Sequence, residues 1–377
     1  MRRLKNLILL FVAAIFTHNA VAIEPKAPKL AATSYILVDY NSNKVIAEKD
    51  SSNRIEPASL TKMMATYVIE NELQMGNISL DDEVLISKKA WKMPGSRMFV
   101  EVNTKVSVRK LLKGIIIQSG NDATVAMAEY IAGSEDAFVS LMNEYARQLG
   151  LKNTNFVNST GLPHKDHYTT AKDLAILVSA MIRNFPEHYS WYSEKVFTYN
   201  GIKQYNRNKL LWQDKYVDGV KTGHTESAGF CLAASAVKDG MRLISVVLGT
   251  KSERARATES QKLLTFGFRF YETHRLYEAN KSLTTARVWK GETDKLPLGL
   301  AEDLWVTIPR GAYGDLKATM SLDSTIVAPV KKGGVFGTVE VKLEGKPYII
   351  RDLVALTAVN EGGFFGGLLD EVEMLFE

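Results

Sequence analysis

Three short stretches of the 377-residue chain carry side chains that could do covalent chemistry. The first is Ser59-Leu60-Thr61-Lys62, with Pro57 just before it and helix-forming residues after it. Proline favours the first turn of a helix, so Ser59 is expected near a helix N-terminus. Three residues on is nearly one turn, which puts Lys62 on the same face. A serine hydroxyl is a poor nucleophile until a base takes its proton. A lysine one turn away can be that base if burial lowers its pKa. A capping serine and a surface lysine would give the same pattern. The second stretch, Ser119-Gly120-Asn121, follows LLKGIIIQ at an expected helix end, where glycine would let the chain turn. It offers a hydroxyl that can relay a proton and an amide that can hold a peptide group, although alone it also reads as a plain turn. The third is Lys221-Thr222-Gly223 within VDGVKTGHTESAGF. On a strand it presents a cation and a hydroxyl, and the bare Gly223 lets another backbone come close. That suits an extended peptide laid along a strand edge, with its carboxylate at the lysine.

Elements far apart in the chain must bring these groups together. SYILVDYNSNKVIAEKD reads as a hairpin around Asn41-Ser42-Asn43. A long helical block follows, with helices expected over 62–72, 108–117, 123–131, 138–149 and 170–183. FCLAASAVKDGMRLISVVLG is a second hairpin turning at Asp239-Gly240, and ESQKLLTFGFRFYETH has helical spacing. The expected fold is α+β: a sheet is begun, interrupted by a helical block, resumed and closed by a helix. From about Leu276, short β-prone runs alternate with Gly and Pro turns, as in a small all-β domain.

The ends read differently. Arg2, Arg3 and Lys5 precede an apolar run and the small residues Ala20-Val21-Ala22, the pattern of a cleaved secretory signal. Losing those three cations takes the formal net charge from +5 to +2. With no basic stripe interleaved with aromatics, nucleic acid is not an expected partner. The single cysteine, Cys231, cannot form an intramolecular disulfide and reads as a small buried hydrophobe. At the C-terminus, Phe364, Phe365, Leu368, Leu369, Val372, Leu375 and Phe376 fall within an arc of about 140° on a helix. Asp370, Glu371, Glu373 and Glu377 lie outside that arc, as in an amphipathic helix on a membrane surface. The expected division is a signal peptide at 1–22, a catalytic domain at 23–275, a β-rich domain at 276–360 and an anchoring tail at 361–377.

In this order and spacing, S-x-x-K, S-x-N and K-T-G are the catalytic set of penicillin-binding proteins and serine β-lactamases. The chain resembles one family in particular, the D-alanyl-D-alanine carboxypeptidases among low-molecular-mass penicillin-binding proteins, of the penicillin-binding protein 5/6 group. EPASLTKMM, QSGNDA, VDGVKTGHTESAGF, LLTFGFRFYET, VTIPRG and EGGFFG all read like that family, over nearly the whole mature chain. The resemblance implies a β-lactamase/transpeptidase-like fold with Ser59 as the acylated nucleophile and Lys62 as its base. Ser119 and Asn121 would be a proton relay and a substrate-amide holder. Lys221 and Thr222 would meet the terminal carboxylate beside Gly223, helped by Arg256 of ERARATES. Backbone N–H groups of Ser59 and His224 would form the oxyanion hole. His164 and His167 are read as exposed loop residues.

The activity implied is serine-type removal of the terminal D-alanine from peptidoglycan stem peptides ending in D-Ala-D-Ala. It would be blocked by β-lactam antibiotics, would need no cofactor or metal, and would serve cell-wall maturation and cell shape. The implied location is the periplasmic face of the inner membrane. The alternatives are D,D-endopeptidase or β-lactamase action on the same scaffold, or a non-catalytic wall-binding protein. No E-x-x-L-N stretch lies between Ser119 and Lys221, which departs from class A β-lactamases. The tail, which from Phe364 on has four acids and no Lys or Arg, departs from the basic anchors common in the family.

Overall fold

The computed structural model describes residues 26–363. The expected signal peptide and residues 364–377 of the tail lie outside the described residues. The first hairpin is β1 (Ser34–Asp39) and β2 (Val45–Lys49). A short 3-10 turn, Ala58–Leu60, then runs into α1 (Thr61–Gln74). The block that follows holds β3 (Glu83–Leu85), α2 (Lys88–Trp91), β4 (Lys105–Ser107), α3 (Val108–Lys113), α4 (Asn121–Ala132), α5 (Glu135–Gln148) and α6 (Ala171–Asn184). It continues through α7 (Pro186–Tyr189), β5 (Val196–Tyr199), β6 (Ile202–Tyr205) and α8 (Leu210–Gln213). The sheet resumes with β7 (Val217–Thr225), β8 (Gly229–Lys238) and β9 (Met241–Thr250), and α9 (Glu253–Phe270) closes the unit.

One five-stranded antiparallel sheet results, in the order β2-β1-β9-β8-β7. The two ends of this unit therefore share a sheet, as the α+β reading expects. Strand side chains alternate between faces. Ile36, Val38, Ala233 and Val246 join the core beneath the helical block, whereas Tyr35, Leu37, Leu232 and Val247 pack towards α9. Both faces are covered, so the inner strands are apolar throughout, and all of β1 is buried. The β8–β9 turn uses positive φ at Asp239 (50°) and Gly240 (79°), the twist that a two-residue hairpin loop requires. The helical block also holds two small hairpins, β3–β4 and β5–β6, in segments too short to give a clear two-residue period.

The C-terminal part is all β. β10 (Tyr271–Tyr277), β11 (Ser282–Arg287), β12 (Lys295–Gly299) and β13 (Leu304–Pro309) are followed by β14 (Leu316–Leu322), β15 (Val335–Leu343) and β16 (Lys346–Ala355). β10 pairs with β13, and the rest form a sheet in the order β11-β12-β16-β15-β14. Polar contacts tie this part to the first hairpin. Thr273 donates to Asp39 at 2.7 Å, and the Ser42 and Thr307 hydroxyls lie 2.6 Å apart.

Candidate active site

Ser59 sits in the 3-10 turn that leads into α1, and Lys62 is the second residue of the helix. The spacing does bring them together, with Lys62 Nζ 3.1 Å from Ser59 Oγ. Lys62 is fully buried, and its second partner is the Thr160 carbonyl at 2.6 Å. Burial, and then the positive charge of Arg207, lowers its pKa to about 7, against an opposing pull from Asp122. The lysine is therefore half in its free-base form near neutrality.

Thr160 lies on a loop that local sequence fixes tightly. Asn158 Oδ1 accepts from the backbone N–H groups of Thr160, Gly161 and Leu162 at 3.1, 2.7 and 3.2 Å. The loop must also pass against the nucleophile turn. Gly161 has φ +85°, and a Cβ there would run into the Ala58 carbonyl. The expectation that His167 is an exposed loop residue is corrected here. It is buried, its Nδ1 accepts from Val157 N–H at 3.2 Å, and its Nε2 lies 2.7 Å from Thr61 Oγ1. Accepting at Nδ1 leaves the proton on Nε2 to donate to Thr61, so the ring is neutral. Burial, followed by the charges of His164 and Lys62, pushes its pKa down to about 4. His164 is exposed. The polar run His164-Lys165-Asp166-His167, just after Pro163, gave no signal that one of the two histidines turns inward.

Ser119 and Lys221, 102 residues apart, meet at 2.9 Å between Nζ and Oγ. The helix over 108–117 is not continuous α. α3 gives way to a π-helical turn, Gly114–Gln118, and Ser119 itself takes the left-handed conformation at φ 67°. The turn expected at Gly120 is thus made one residue earlier, by a non-glycine residue held at a sparsely populated backbone angle. Asp122, which the sequence reading did not single out, braces this corner. Its carboxylate accepts from Met98 and Phe99 N–H at 2.8 Å each and from Val100 N–H at 3.2 Å. Asn121 spends its Nδ2 on the Pro94 carbonyl at 2.6 Å, and its buried Oδ1 has no partner. What it can offer a substrate is therefore an acceptor for a peptide N–H.

β7 is the edge strand of the sheet, and Lys221, Thr222 and Gly223 are all buried on it. The close approach at Gly223 has a different partner from the one expected. A Cβ there would meet the Pro57 carbonyl at 3.0 Å and Ala58 Cβ at 3.2 Å. The missing side chain lets β7 pack on the nucleophile turn of its own chain. Lys221 is held well below its ordinary pKa by burial first, and then by the charges of Lys62, Arg207 and Arg256. Arg256 is buried and donates to the Gly223 carbonyl at 3.2 Å, with Glu253 3.7 Å away. His224 is exposed, its ring stacked on Phe230 with centroids 3.9 Å apart. Cys231 is fully buried and its thiol is pushed up to about 11, chiefly by burial. No group of His, Cys, Asp and Glu able to hold a metal occurs among the described residues.

The arrangement is a serine with a near-neutral amine, a second hydroxyl hydrogen-bonded to a second amine, and several cations with little acid among them. An anion entering this cluster would restore the charge that burial costs Lys221. Residues 21–252 match the family described as D-alanyl-D-alanine carboxypeptidase, and residues 271–361 match the penicillin-binding protein 5 C-terminal domain. The chain is 46% identical over 366 residues to D-alanyl-D-alanine carboxypeptidase DacA of Escherichia coli strain K12, covering 95% of this chain and 91% of that one. It is also 46% identical over 372 residues to DacC of the same organism, covering 96% and 93%. Penicillin binding protein 5 from Haemophilus influenzae has the same fold, with a TM-score of 0.87 and 45% identity over 89% of this chain and 100% of that one. With the first match alone spanning more than half its length, the chain belongs to the D-alanyl-D-alanine carboxypeptidase family.

Proposed function

We infer that this chain is a serine-type D-alanyl-D-alanine carboxypeptidase that works through an acyl-enzyme on Ser59. The observation that carries the reading is the buried Lys62, with a pKa of about 7 and its Nζ 3.1 Å from Ser59 Oγ. In its free-base form Lys62 takes the Ser59 proton as Oγ attacks the carbonyl of the penultimate D-alanine. The peptide C–N bond then breaks. The leaving amine takes a proton through Ser119, which Lys221 contacts at 2.9 Å. Lys221, Thr222 and Arg256 receive the terminal carboxylate, and Asn121 Oδ1 accepts a substrate N–H. Water then hydrolyses the ester and releases the shortened peptide. A β-lactam presents a similar amide and carboxylate, and would stop at the ester.

Arg256 gives a test of the carboxylate assignment. A charge-assisted contact is worth about 1.5–3 kcal/mol, or roughly ten- to a hundredfold. Arg256→Ala should lose that factor in kcat/KM on a peptide ending in D-Ala carboxylate, and little on the C-terminal amide. If the variant discriminates between the two as well as wild type does, Arg256 does not read the charge.

The division into a catalytic part at 23–275 and a β-rich part at 276–360 belongs to the same reading, as do export by the signal at 1–22 and action at the periplasmic face of the inner membrane. No helix among the described residues is long and apolar enough to cross a membrane. We propose that the tail at 361–377 rests on the membrane by its apolar side. With five acids and no Lys or Arg over 361–377, the tail should be repelled by anionic lipid, and salt should screen that repulsion. Weak liposome co-sedimentation is expected, weaker with more anionic lipid, stronger at high salt, and lost in a chain ending at Glu361. Equal sedimentation of the two chains would remove the anchor.

A further inference from the structure

Backbone strain marks the site. Before Tyr271, the non-glycine residues with positive φ among those described are Asn43, Asp50, Asn103, Asn200 and Asp239, together with Ala58, Ser119 and Phe99. Asn and Asp tolerate that region, whereas the last three residue types rarely adopt it. Ala58 (φ 48°) precedes the nucleophile, and Ser119 (φ 67°) is the second hydroxyl of the site. Phe99 (φ 68°) has no role in the assigned machinery. A bulky side chain at such an angle is an outlier that persists only where its surroundings over-determine it.

Those surroundings are the corner that carries Ser119 and Asn121. The fully buried Asp122 carboxylate takes the Phe99 N–H at 2.8 Å, between the Met98 and Val100 N–H groups. On the other side of the loop, Gln204 donates to the Met98 carbonyl at 2.9 Å. One residue further back, the Ser96 carbonyl accepts from Asn121 N–H at 2.7 Å. The backbone at Phe99 is thus fixed from both sides, yet the ring is not buried. It is 45% exposed, with the Arg97 guanidinium 5.7 Å from its centroid. The ring lines a cavity of about 370 Å³ together with Gln118, the residue before Ser119, and Arg207. The charge of Arg207 acts on Lys221 and Arg256, the two cations placed at the terminal carboxylate. The ring therefore borders the place where the residue bearing that carboxylate would lie. Folding gains little from an aromatic ring held at a strained angle and left open to water.

We propose that Phe99 is a specificity-determining residue, an apolar wall against the methyl group of the leaving D-alanine, and that Asp122 is the positioning residue that holds it there. The inference rests on the carboxypeptidase reading and adds to it a preference for the terminal residue. A terminal glycine has no methyl group to set against the ring.

The test compares two synthetic peptides with the same acyl part, one releasing D-Ala and the other releasing Gly. The proteins are the full mature chain, Phe99→Gly and the conservative Phe99→Tyr. The readouts are the ratio of kcat/KM for the D-Ala-releasing peptide to that for the Gly-releasing one, and Tm. Phe99→Gly should lower the ratio about fourfold, the worth of burying one methyl group. Its Tm should stay within about 2 °C of wild type, because glycine accepts the positive φ without strain. Phe99→Tyr keeps the ring and should keep the ratio. A ratio unchanged in Phe99→Gly overturns the proposal and leaves the carboxypeptidase reading intact, as does a wild type that does not discriminate. A Phe99→Gly chain that loses more than about 5 °C in Tm also overturns it, because the ring would then serve the fold. Failure of wild type to release either product overturns both readings.

Discussion

Ser59→Ala should take up no β-lactam mass, and its release of D-alanine should fall by at least about 10⁴-fold. A nucleophile that acts with its base as a unit carries most of the rate, because what survives its removal is binding and oxyanion stabilisation alone. The fold should tolerate the change, since Ser59 sits in a 3-10 turn whose neighbours Ala58 and Leu60 supply the buried contacts. Its hydroxyl makes one hydrogen bond, to a lysine that keeps the Thr160 carbonyl as a partner. Intact-protein mass followed by peptide mapping reads the result. An adduct on another residue, with Ser59→Ala labelling as fully as wild type, would sink the assignment of the nucleophile.

The second large effect is a pH dependence set by Lys62. Below about pH 7 the amine is mostly protonated and cannot accept the Ser59 proton, so the acylation rate should fall about tenfold per pH unit. Above about 7 it should level off. Lys62→Met should lose roughly 10²- to 10⁴-fold in acylation and should also lose this step in the profile. A rate flat between about pH 5.5 and 8.5 in wild type would remove Lys62 as the base. The same lowered pKa has a stability consequence of fixed sign. The unfolded chain holds this proton up to the ordinary lysine value of 10.5, whereas the folded chain gives it up near 7. Folding with the charge buried is therefore penalised in full below about 7, and the penalty is relieved as pH rises towards 10.5. Lys62→Met should accordingly gain most in Tm relative to wild type at acidic pH. The gain should shrink as pH rises, and a difference independent of pH would contradict the linkage.

Most of what one stretch of chain specifies by itself was legible in the sequence. The apolar runs of β1, β8 and β9, the Asp239-Gly240 turn and the main helices follow from local patterning. So does the pairing of Ser59 with Lys62, because residues three apart on a helix must be neighbours. The order of the S-x-x-K, S-x-N and K-T-G groups carried the family, because each group is a fixed local arrangement. Tertiary structure decided what these residues can do. Lys62 can lose its proton near neutrality because a loop fixed by Asn158, about a hundred residues away, buries it and gives it one carbonyl. Local propensity carries no term for that desolvation, nor for the charge of Arg207 that adds to it. The same holds for His167, whose loop sequence looks exposed until Thr61 and Val157 close on its ring. It holds again for Ser119, which takes a left-handed angle in a corner that Asp122 braces through three backbone N–H groups. Sequence determined which groups are present and which share a helix face or a strand. Burial and the field of distant charges, which exist only once the chain has packed, set their protonation and their partners.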